Sequence, residues 1–93
     1  MAIRLSEATI EAENTFSDAV VLWGQFNYTL SGTWVATVTL QKSYDSGSTW
    51  IDVDTATANE HGVWNEPEAG VQWRFGVKTG AFTSGKVVGR LSQ

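Results

Sequence analysis

Histidine and cysteine, which are typical of catalytic and metal-binding sites, are scarce in this 93-residue chain. The chain contains no cysteine, which excludes a thiolate nucleophile, and His61 is its single histidine. A hydroxyl nucleophile would need His61 as its base and a third group to orient the imidazole, and no recognised motif surrounds His61. Asp45, Asp52 and Asp54 are candidate oxygen ligands for Ca²⁺, but their spacing does not match an EF-hand loop. We therefore predict a protein that is not an enzyme and that has no metal and no cofactor.

A tight turn between two strands is indicated by five residues, Ser43, Asp45, Gly47, Thr49 and Trp50. Asp45 can accept hydrogen bonds from backbone N–H groups further along the turn, and Gly47 can take a positive φ. Ser43 and Thr49 can bond across the base of the turn. Trp50 can lay its ring under the loop and direct its indole N–H to a carbonyl. The five residues are therefore assigned a structural role.

The same five residues match, position for position, the pattern Ser-x-Asp-x-Gly-x-Thr-Trp. This stretch resembles the Asp boxes of sialidases and of other β-proteins, including bacterial-surface and phage proteins. In those proteins the box is a folding device that usually lies away from any active site. Sialidases carry several boxes on propeller blades, whereas this chain has one, so the resemblance implies a turn and not a glycosidase.

Alternation of apolar and polar residues along most of the chain indicates β-strands. About seven to eight short strands, with turn signals about every 8–12 residues, predict a single all-β domain over residues 1–93. The predicted fold is an antiparallel immunoglobulin-like β-sandwich, with a small β-barrel as the alternative. The residues predicted to face the core are Val20, Leu22, Phe26, Tyr28 and Leu30, then Trp34, Ala36, Val38 and Leu40, then Val71, Trp73, Phe75 and Val77, and finally Val87 and Leu91.

Several boundaries follow from the same patterns. Ile3–Ala12 is predicted to be an edge strand whose glutamates face water. Turns are predicted at Ser31–Gly32, Glu60–Gly62 and Glu66–Gly70, and a loop is predicted over Thr79–Gly85. Core positions are expected for three tryptophans, namely Trp34, Trp50 and Trp73, whereas Trp23 breaks the polar face of its strand and is expected to be exposed.

The stretch Pro67–Val77 resembles the E–F corner and F strand of fibronectin type III and other immunoglobulin-like domains. In those domains a glycine-containing turn leads to an aromatic residue and then to alternating apolar residues. Trp73 stands where the family usually has tyrosine, and an indole has no hydroxyl to bond the backbone of the corner.

Charge is distributed unevenly along a chain whose net charge is −4. All ten acidic residues lie in residues 1–68, whereas four of the six basic residues lie in residues 69–93. Either the terminal strands pair within the fold and neutralise each other, or a basic edge docks on an acidic partner. The acidic balance is unfavourable for nucleic-acid binding, and no apolar run approaches the roughly 20 residues of a membrane span. No signal peptide is visible, so synthesis in a cytoplasm is expected.

A longer resemblance extends from about residue 14 to the end of the chain, and it is to small structural proteins of tailed phages and prophages. It is carried by the Asp box and by Asn14–Phe16, Ser31–Trp34, Val38–Gln41, Glu66–Gly70, Thr83–Gly85 and Arg90–Gln93. The resemblance implies a virion component made in the bacterial cytoplasm, most simply a capsid decoration protein that binds and stabilises the head shell. Its partner would be the major capsid protein or another virion protein. A domain of 93 residues without disulfides has little core to spare, so we expect a homo-oligomer, and analogy with decoration proteins makes a trimer at a capsid symmetry axis the specific expectation.

The candidate partner contacts are Trp23, Lys86, Arg90, Glu7 and Glu11. The four charged residues belong to the terminal strands, which commonly lie at sandwich edges and can pair there with a neighbour. Trp23 is the aromatic side chain most available to a partner, because aromatic residues are enriched at protein contacts. The alternative function is a carbohydrate-binding module on a virion or host surface, in which an exposed tryptophan stacks on sugar rings.

Overall fold

The computed structural model describes residues 4–93, in which every regular element is a β-strand. Two antiparallel sheets pack face to face and do not close into a barrel, so the predicted sandwich is confirmed and the barrel alternative is excluded. No helix long and apolar enough to cross a membrane is found among these residues. The strands are β1 (Leu5–Ile10), β2 (Thr15–Phe16), β3 (Val20–Val21), β4 (Gly24–Ala36), β5 (Val38–Ser43), β6 (Ile51–Ala56), β7 (Glu60–Glu66), β8 (Gln72–Val77) and β9 (Phe82–Ser92).

The four-stranded sheet has the order β1-β9-β4-β7, and the five-stranded sheet has the order β2-β8-β5-β6 with β3 also paired to β8. The pairs β4–β7 and β5–β8 correspond to the B–E and C–F pairs of an immunoglobulin-like sandwich. The last strand differs from that arrangement. An immunoglobulin G strand lies in the same sheet as F, whereas β9 lies between β1 and β4 in the opposite sheet.

Aromatic side chains from β4 and β8 join the two sheets across the core. The ring centroids of Phe26 and Trp73 lie 4.8 Å apart, and those of Tyr28 and Phe75 lie 6.1 Å apart. Tilted aromatic pairs of this kind contribute about 0.5–1.5 kcal/mol beyond the burial of their surface. Most of the predicted core positions are confirmed, since the following residues in or next to β4, β5, β8 and β9 are buried: Leu22, Phe26, Tyr28, Leu30, Val38, Leu40, Val71, Trp73, Phe75, Val77, Val87 and Leu91. Val20 and Ala36 are only half-buried.

The predicted turn at Ser31–Gly32 is wrong, because β4 continues through both residues to Ala36. Gly32 has φ 99°, and a Cβ atom at this position would collide with the backbone carbonyl oxygen of Lys86 on the neighbouring strand. The glycine therefore serves the close approach of β9 to β4 and does not reverse the chain.

Two other boundaries also differ from the prediction. Glu60–Gly62 forms the start of β7, opposite Leu30 to Tyr28 of β4, and the chain reverses earlier, at residues 57–59. The predicted loop after β8 ends at Ala81, because β9 begins at Phe82. In both places, pairing with β4 extends a strand into residues whose local composition favours a turn. The turn predicted around Glu66–Gly70 is confirmed between β7 and β8.

The terminal strands lie side by side, and only one of them is at an edge. β1 is an edge strand as predicted, although the predicted start at Ile3 lies outside the described residues. β9 is an interior strand, paired with β1 on one side and with β4 on the other. The expectation that both terminal strands offer a free edge is therefore wrong for β9, because its residues from Val87 to Ser92 have partners on both sides.

The three tryptophans expected in the core differ in their burial. Trp73 is buried, whereas Trp34 and Trp50 are only half-buried. The indole N–H of Trp73 has no hydrogen-bond partner among residues 4–93, so this side chain does not replace the hydroxyl contact of a tyrosine corner. Trp34 packs against the core from the end of β4, whereas Trp50 lies outside it, immediately before β6.

Candidate functional site

The Asp-box turn is organised around the hydroxyl of Ser43, which is buried at the end of β5. This hydroxyl donates to Asp45 Oδ1 over 2.7 Å and accepts from the backbone N–H of Gly47 over 2.9 Å. The backbone N–H of Thr49 donates to the same Asp45 oxygen over 2.8 Å. Gly47 has φ 92°, as the turn requires. Ser43 and Thr49 therefore meet through Asp45 and do not bond to each other as predicted.

Asp45 is exposed, yet it is held by these bonds. The Ser43 hydroxyl and then the Thr49 N–H lower the pKa of the Asp45 carboxyl below its ordinary value, because both groups stabilise the charged form. These bonds close the turn, and among residues 4–93 no ionisable side chain is hydrogen-bonded to Asp45. This supports the structural reading of the box.

Trp50 packs against the turn and then stacks on Arg74 of β8. Its ring lies close to Gly47, as predicted, but its indole N–H reaches no carbonyl among residues 4–93. The guanidinium carbon of Arg74 lies 4.1 Å from the ring centroid of Trp50 and 4.1 Å from that of Phe16. Arg74 is thus enclosed between two aromatic rings on the outer face of the five-stranded sheet, where such contacts contribute about 0.5–2 kcal/mol each.

A chain of polar contacts extends from Arg74 across the same face. Arg74 Nε donates to Gln41 Oε1 over 2.8 Å, and Gln41 Nε2 donates to Asp52 Oδ1 over 2.9 Å. Lys78 is paired with the other oxygen of Asp52 and lowers the pKa of this carboxyl, with Gln41 as the second cause. Both oxygens of Asp52 therefore have partners on this face of the protein.

The three candidate calcium ligands do not come together. Asp45 is bound within its turn, Asp52 lies opposite Gln41, and Asp54 lies opposite Leu40 on the other side of a β-bulge. In residues 4–93 no group of three or more metal-binding side chains is found. The arrangement gives each carboxylate a separate protein environment.

His61 lies on β7, directly opposite Thr29 of β4, on the exposed face of the four-stranded sheet. The cross-strand row continues from Thr29 to Arg90 and then to Glu7. This row holds a histidine, a hydroxyl, a cation and a carboxylate on the outer face of the sheet. A shallow depression lies at its Glu7 end.

The candidate contact residues of the terminal strands are matched with each other inside the fold. Glu7 lies directly opposite Arg90 in the β1–β9 ladder, and Lys86 Nζ lies 3.2 Å from Glu11 Oε1. This is the arrangement expected if the acidic beginning and the basic end of the chain neutralise each other. All four side chains remain exposed.

Trp23 is 60 % exposed on a backbone that is firmly held. The side chain of Gln93 accepts from the backbone N–H of Trp23 and donates to the carbonyl oxygens of Trp23 and Gln25. On the other side, the Arg4 guanidinium donates to the carbonyl oxygen of Val21, and Leu22 between them is fully buried. A large aromatic surface is thus presented by a segment whose backbone is hydrogen-bonded on both sides of Trp23.

A shallow depression of about 300 Å³ lies on the four-stranded sheet near this segment. Its side chains carry amide and hydroxyl groups and no charge, and Val63, which is 62 % exposed, lies at its border. The lining residues include Gln25, Asn27, Ser92 and Gln93. Together with Trp23 they form the candidate docking site.

Two arrangements were not predicted from the sequence. The sequence predicted only that the Arg74 side chain points away from the core. Its position between Phe16 and Trp50 depends on how β8, β2 and the Asp-box turn are placed relative to one another. Lys42 and Glu66 form the other: Lys42 Nζ lies 3.6 Å from an oxygen of the buried Glu66. Tyr44 raises the pKa of Lys42, and Glu66 adds to this rise against the effect of burial. The only sequence signal for this pair was a glutamate immediately before Pro67.

No protein-family model, curated protein or solved structure matches the chain.

Proposed function

We propose that the protein is a structural subunit of a tailed-phage virion, most simply a capsid decoration protein, and that it docks on the shell through Trp23. The carrying observation is the exposure of Trp23 on a backbone bonded by Gln93. Binding energy at protein interfaces concentrates in a few aromatic and arginine anchors, and a pre-ordered anchor loses little entropy on binding. The assignment to a virion rests on the resemblance to small tailed-phage proteins, which extends from about residue 14 to residue 93.

The chemistry of the remaining surface supports a binding role without turnover. His61 lies in an open polar row, Asp45 and Asp52 are held by hydrogen bonds, and Ser43 is buried. The Ser43 hydroxyl is bonded to the Asp45 carboxylate, but it is fully buried within the turn. A compact sandwich whose polar groups serve its own turns is suited to strengthening a larger shell.

The test is binding of the purified protein to shells assembled from the partner capsid protein, measured by co-sedimentation. Trp23→Ala is expected to weaken binding by about thirtyfold or more, because an anchor residue at an interface contributes about 2 kcal/mol or more. Tyr44→Ala is the matched control, since Tyr44 is also an exposed aromatic (54 %) but lies at the Asp-box end. Binding that is lost with Tyr44→Ala and retained with Trp23→Ala would contradict the proposed orientation.

The charged candidates are expected to contribute less. Lys86 and Arg90 already face Glu11 and Glu7, so reversing both basic charges removes contacts within the sheet as well as any contact with the shell. We expect Lys86→Glu with Arg90→Glu to weaken shell binding less than Trp23→Ala does, with a larger effect at low salt, where screening is least. If shell binding is insensitive to salt and to both charge reversals, electrostatic attraction does not contribute to it.

A neutral glycan is the second candidate ligand, favoured by the uncharged depression beside Trp23. Amide and hydroxyl side chains bind sugar hydroxyls, and an indole can stack on a sugar ring. Calorimetric titration with neutral oligosaccharides tests it. Saturable binding that Trp23→Ala and Asn27→Ala both abolish, without binding to assembled shells, would replace the capsid proposal with this one.

A further inference from the structure

The sheet edges differ in how they are protected against pairing with another chain. β1, β6 and β7 each expose one backbone edge and carry acidic residues, namely Glu7 on β1, Asp52 and Asp54 on β6, and Glu60 on β7. Charges on an edge strand oppose association, and the protein as a whole is acidic. These three edges are therefore unsuited to pairing with a second copy. The remaining edge of the five-stranded sheet is formed by β2 and β3, which are uncharged but only two residues long each, and strands this short offer little edge for pairing.

The outer part of β4 is a contrasting edge. β7 pairs with β4 only as far as Leu30, whereas β9 continues alongside β4 to Ala36. Residues 31–36 of β4 thus have a strand on one side and none on the other within the described part of the chain. Asn59 partly covers the beginning of this edge, where its amide donates to the Gly32 carbonyl oxygen over 2.9 Å and accepts from the Trp34 indole over 2.7 Å. The remaining residues, Thr33–Ala36, are called the neutral edge below.

The neutral edge is uncharged and partly apolar. Val35 on it is 58 % exposed, although it lies in a strand that is otherwise well packed. An open cleft of about 380 Å³ adjoins it, lined by Trp34–Thr37 together with Thr57 and Ala81, and none of the lining residues is charged. A surface without charge does not repel its own copy, even in a protein with a net charge of −4.

We propose that two copies of the protein pair antiparallel along the neutral edge, around a two-fold axis at Val35. In an antiparallel pair, directly opposite residues share a face, so a two-fold axis at Val35 sets the two exposed valines against each other. Trp34 of each copy then lies opposite Ala36 of the other. The chain leaves the four-stranded sheet at Thr37, where its N–H donates to the Ala81 carbonyl oxygen, so the partner strand ends before it reaches β7.

A second copy is the occupant that this edge favours. The edge supplies backbone groups that can pair with another extended chain, and an edge that is identical in both molecules gives an isologous contact that closes on itself. A trimer would instead need two different complementary surfaces. The Trp23 site is not part of this contact, so dimer formation and shell binding can be tested separately.

Sedimentation velocity of the full chain over a wide concentration range tests the pairing. The wild type is expected to show a monomer–dimer equilibrium. Val35→Glu is expected to raise the dimer dissociation constant by about tenfold or more, because like charges then face each other directly. Val63→Glu is the matched control, since Val63 is an equally exposed strand valine (62 %) outside the neutral edge, and it should leave the dimer intact.

A charge-complementation experiment separates a lost contact from a folding defect. Val35→Lys alone should also be monomeric, but an equimolar mixture of Val35→Glu and Val35→Lys should form a heterodimer, because opposite charges then meet across the axis. A misfolded variant would not regain association in this way. A wild type that is monomeric at every concentration, a wild-type trimer, or a dimer unaffected by Val35→Glu would each overturn the proposal.

Discussion

Trp50 and Trp23 both lie next to the end of a strand, and the fold uses them in opposite ways. The ring of Trp50 lies against Gly47 and stacks on Arg74, so its faces are occupied by groups of the same molecule. The ring of Trp23 is largely exposed, while its backbone is bonded to Gln93. A tryptophan whose ring is occupied stabilises the fold, and one whose ring is free on an ordered backbone is available to a partner.

The largest expected effect is the difference between the two tryptophans in stability. Trp50→Ala should reduce the free energy of unfolding by about 2–3 kcal/mol, because it removes both the packing on the turn and the cation–π contact. The loss should be somewhat smaller than for a fully buried tryptophan, since Trp50 is only half-buried. Trp23→Ala should change it by less than about 0.5 kcal/mol. Urea denaturation of the two variants measures both. Equal losses would mean that Trp23 also serves the fold.

The turn beneath Trp50 can be weakened at its buried hydroxyl. Ser43→Ala should destabilise the protein by about 1–2 kcal/mol, because the Gly47 N–H and the Asp45 carboxylate both lose a partner. Asp45→Ala should also lower the denaturation midpoint, but by less, since Asp45 is exposed and water can replace its bonds. The same urea series tests the order of the two variants, and a larger loss for Asp45→Ala would reverse it.

Replacing Arg74 with lysine keeps the positive charge and tests how much the stacking of the guanidinium between two rings contributes to stability. Arg74→Lys should reduce the free energy of unfolding by about 1 kcal/mol, because an ammonium group lacks the planar surface that faces Phe16 and Trp50 and the Nε–H that bonds Gln41. Thermal denaturation is the measurement, with near-ultraviolet circular dichroism to report the environment of Trp50. An unchanged aromatic spectrum would mean that lysine restores the contact.

The smallest expected effect is on the dependence of stability on pH. The pKa of the Asp45 carboxyl is below its ordinary value of 3.8 in the folded protein, so its hydrogen bonds contribute stability above that pH, and the contribution is lost as the pH falls through the folded pKa. Asp45→Asn should therefore reduce the loss of stability between neutral pH and about pH 2, whereas Trp23→Ala should leave this loss unchanged. Identical acid dependence in wild type and Asp45→Asn would contradict the assignment.

Much of the fold could be predicted from the sequence, because the patterns that indicate it are local. The period of two along β4 and β8 is a property of extended backbone, so the buried sides of Phe26, Tyr28, Trp73 and Phe75 could be predicted without knowing which strands pair. The Asp-box turn is equally local, since its hydrogen bonds connect residues only a few positions apart.

The errors arose where a local signal has two physical readings. A glycine with positive φ fits a turn, but it also fits a strand whose neighbour comes unusually close, and Gly32 belongs to the second case. Polar residues such as Glu60 and His61 favour a turn in isolation, yet pairing with β4 makes them a strand. In both cases the deciding contact is with a residue distant in sequence.

The features of the candidate site also fall into two groups, those set by local sequence and those set by contacts between residues distant in sequence. The sequence by itself determined that Trp23 would face outward and that Ser43, Asp45 and Gly47 would form a turn, because these outcomes depend on strand period and on short hydrogen bonds. Only the tertiary structure placed Arg74 between two rings, Glu7 opposite Arg90, and Gln93 against Trp23, which are 70 positions apart. Strand order sets such contacts, and it is chosen by the packing of the whole sandwich, which no local pattern encodes.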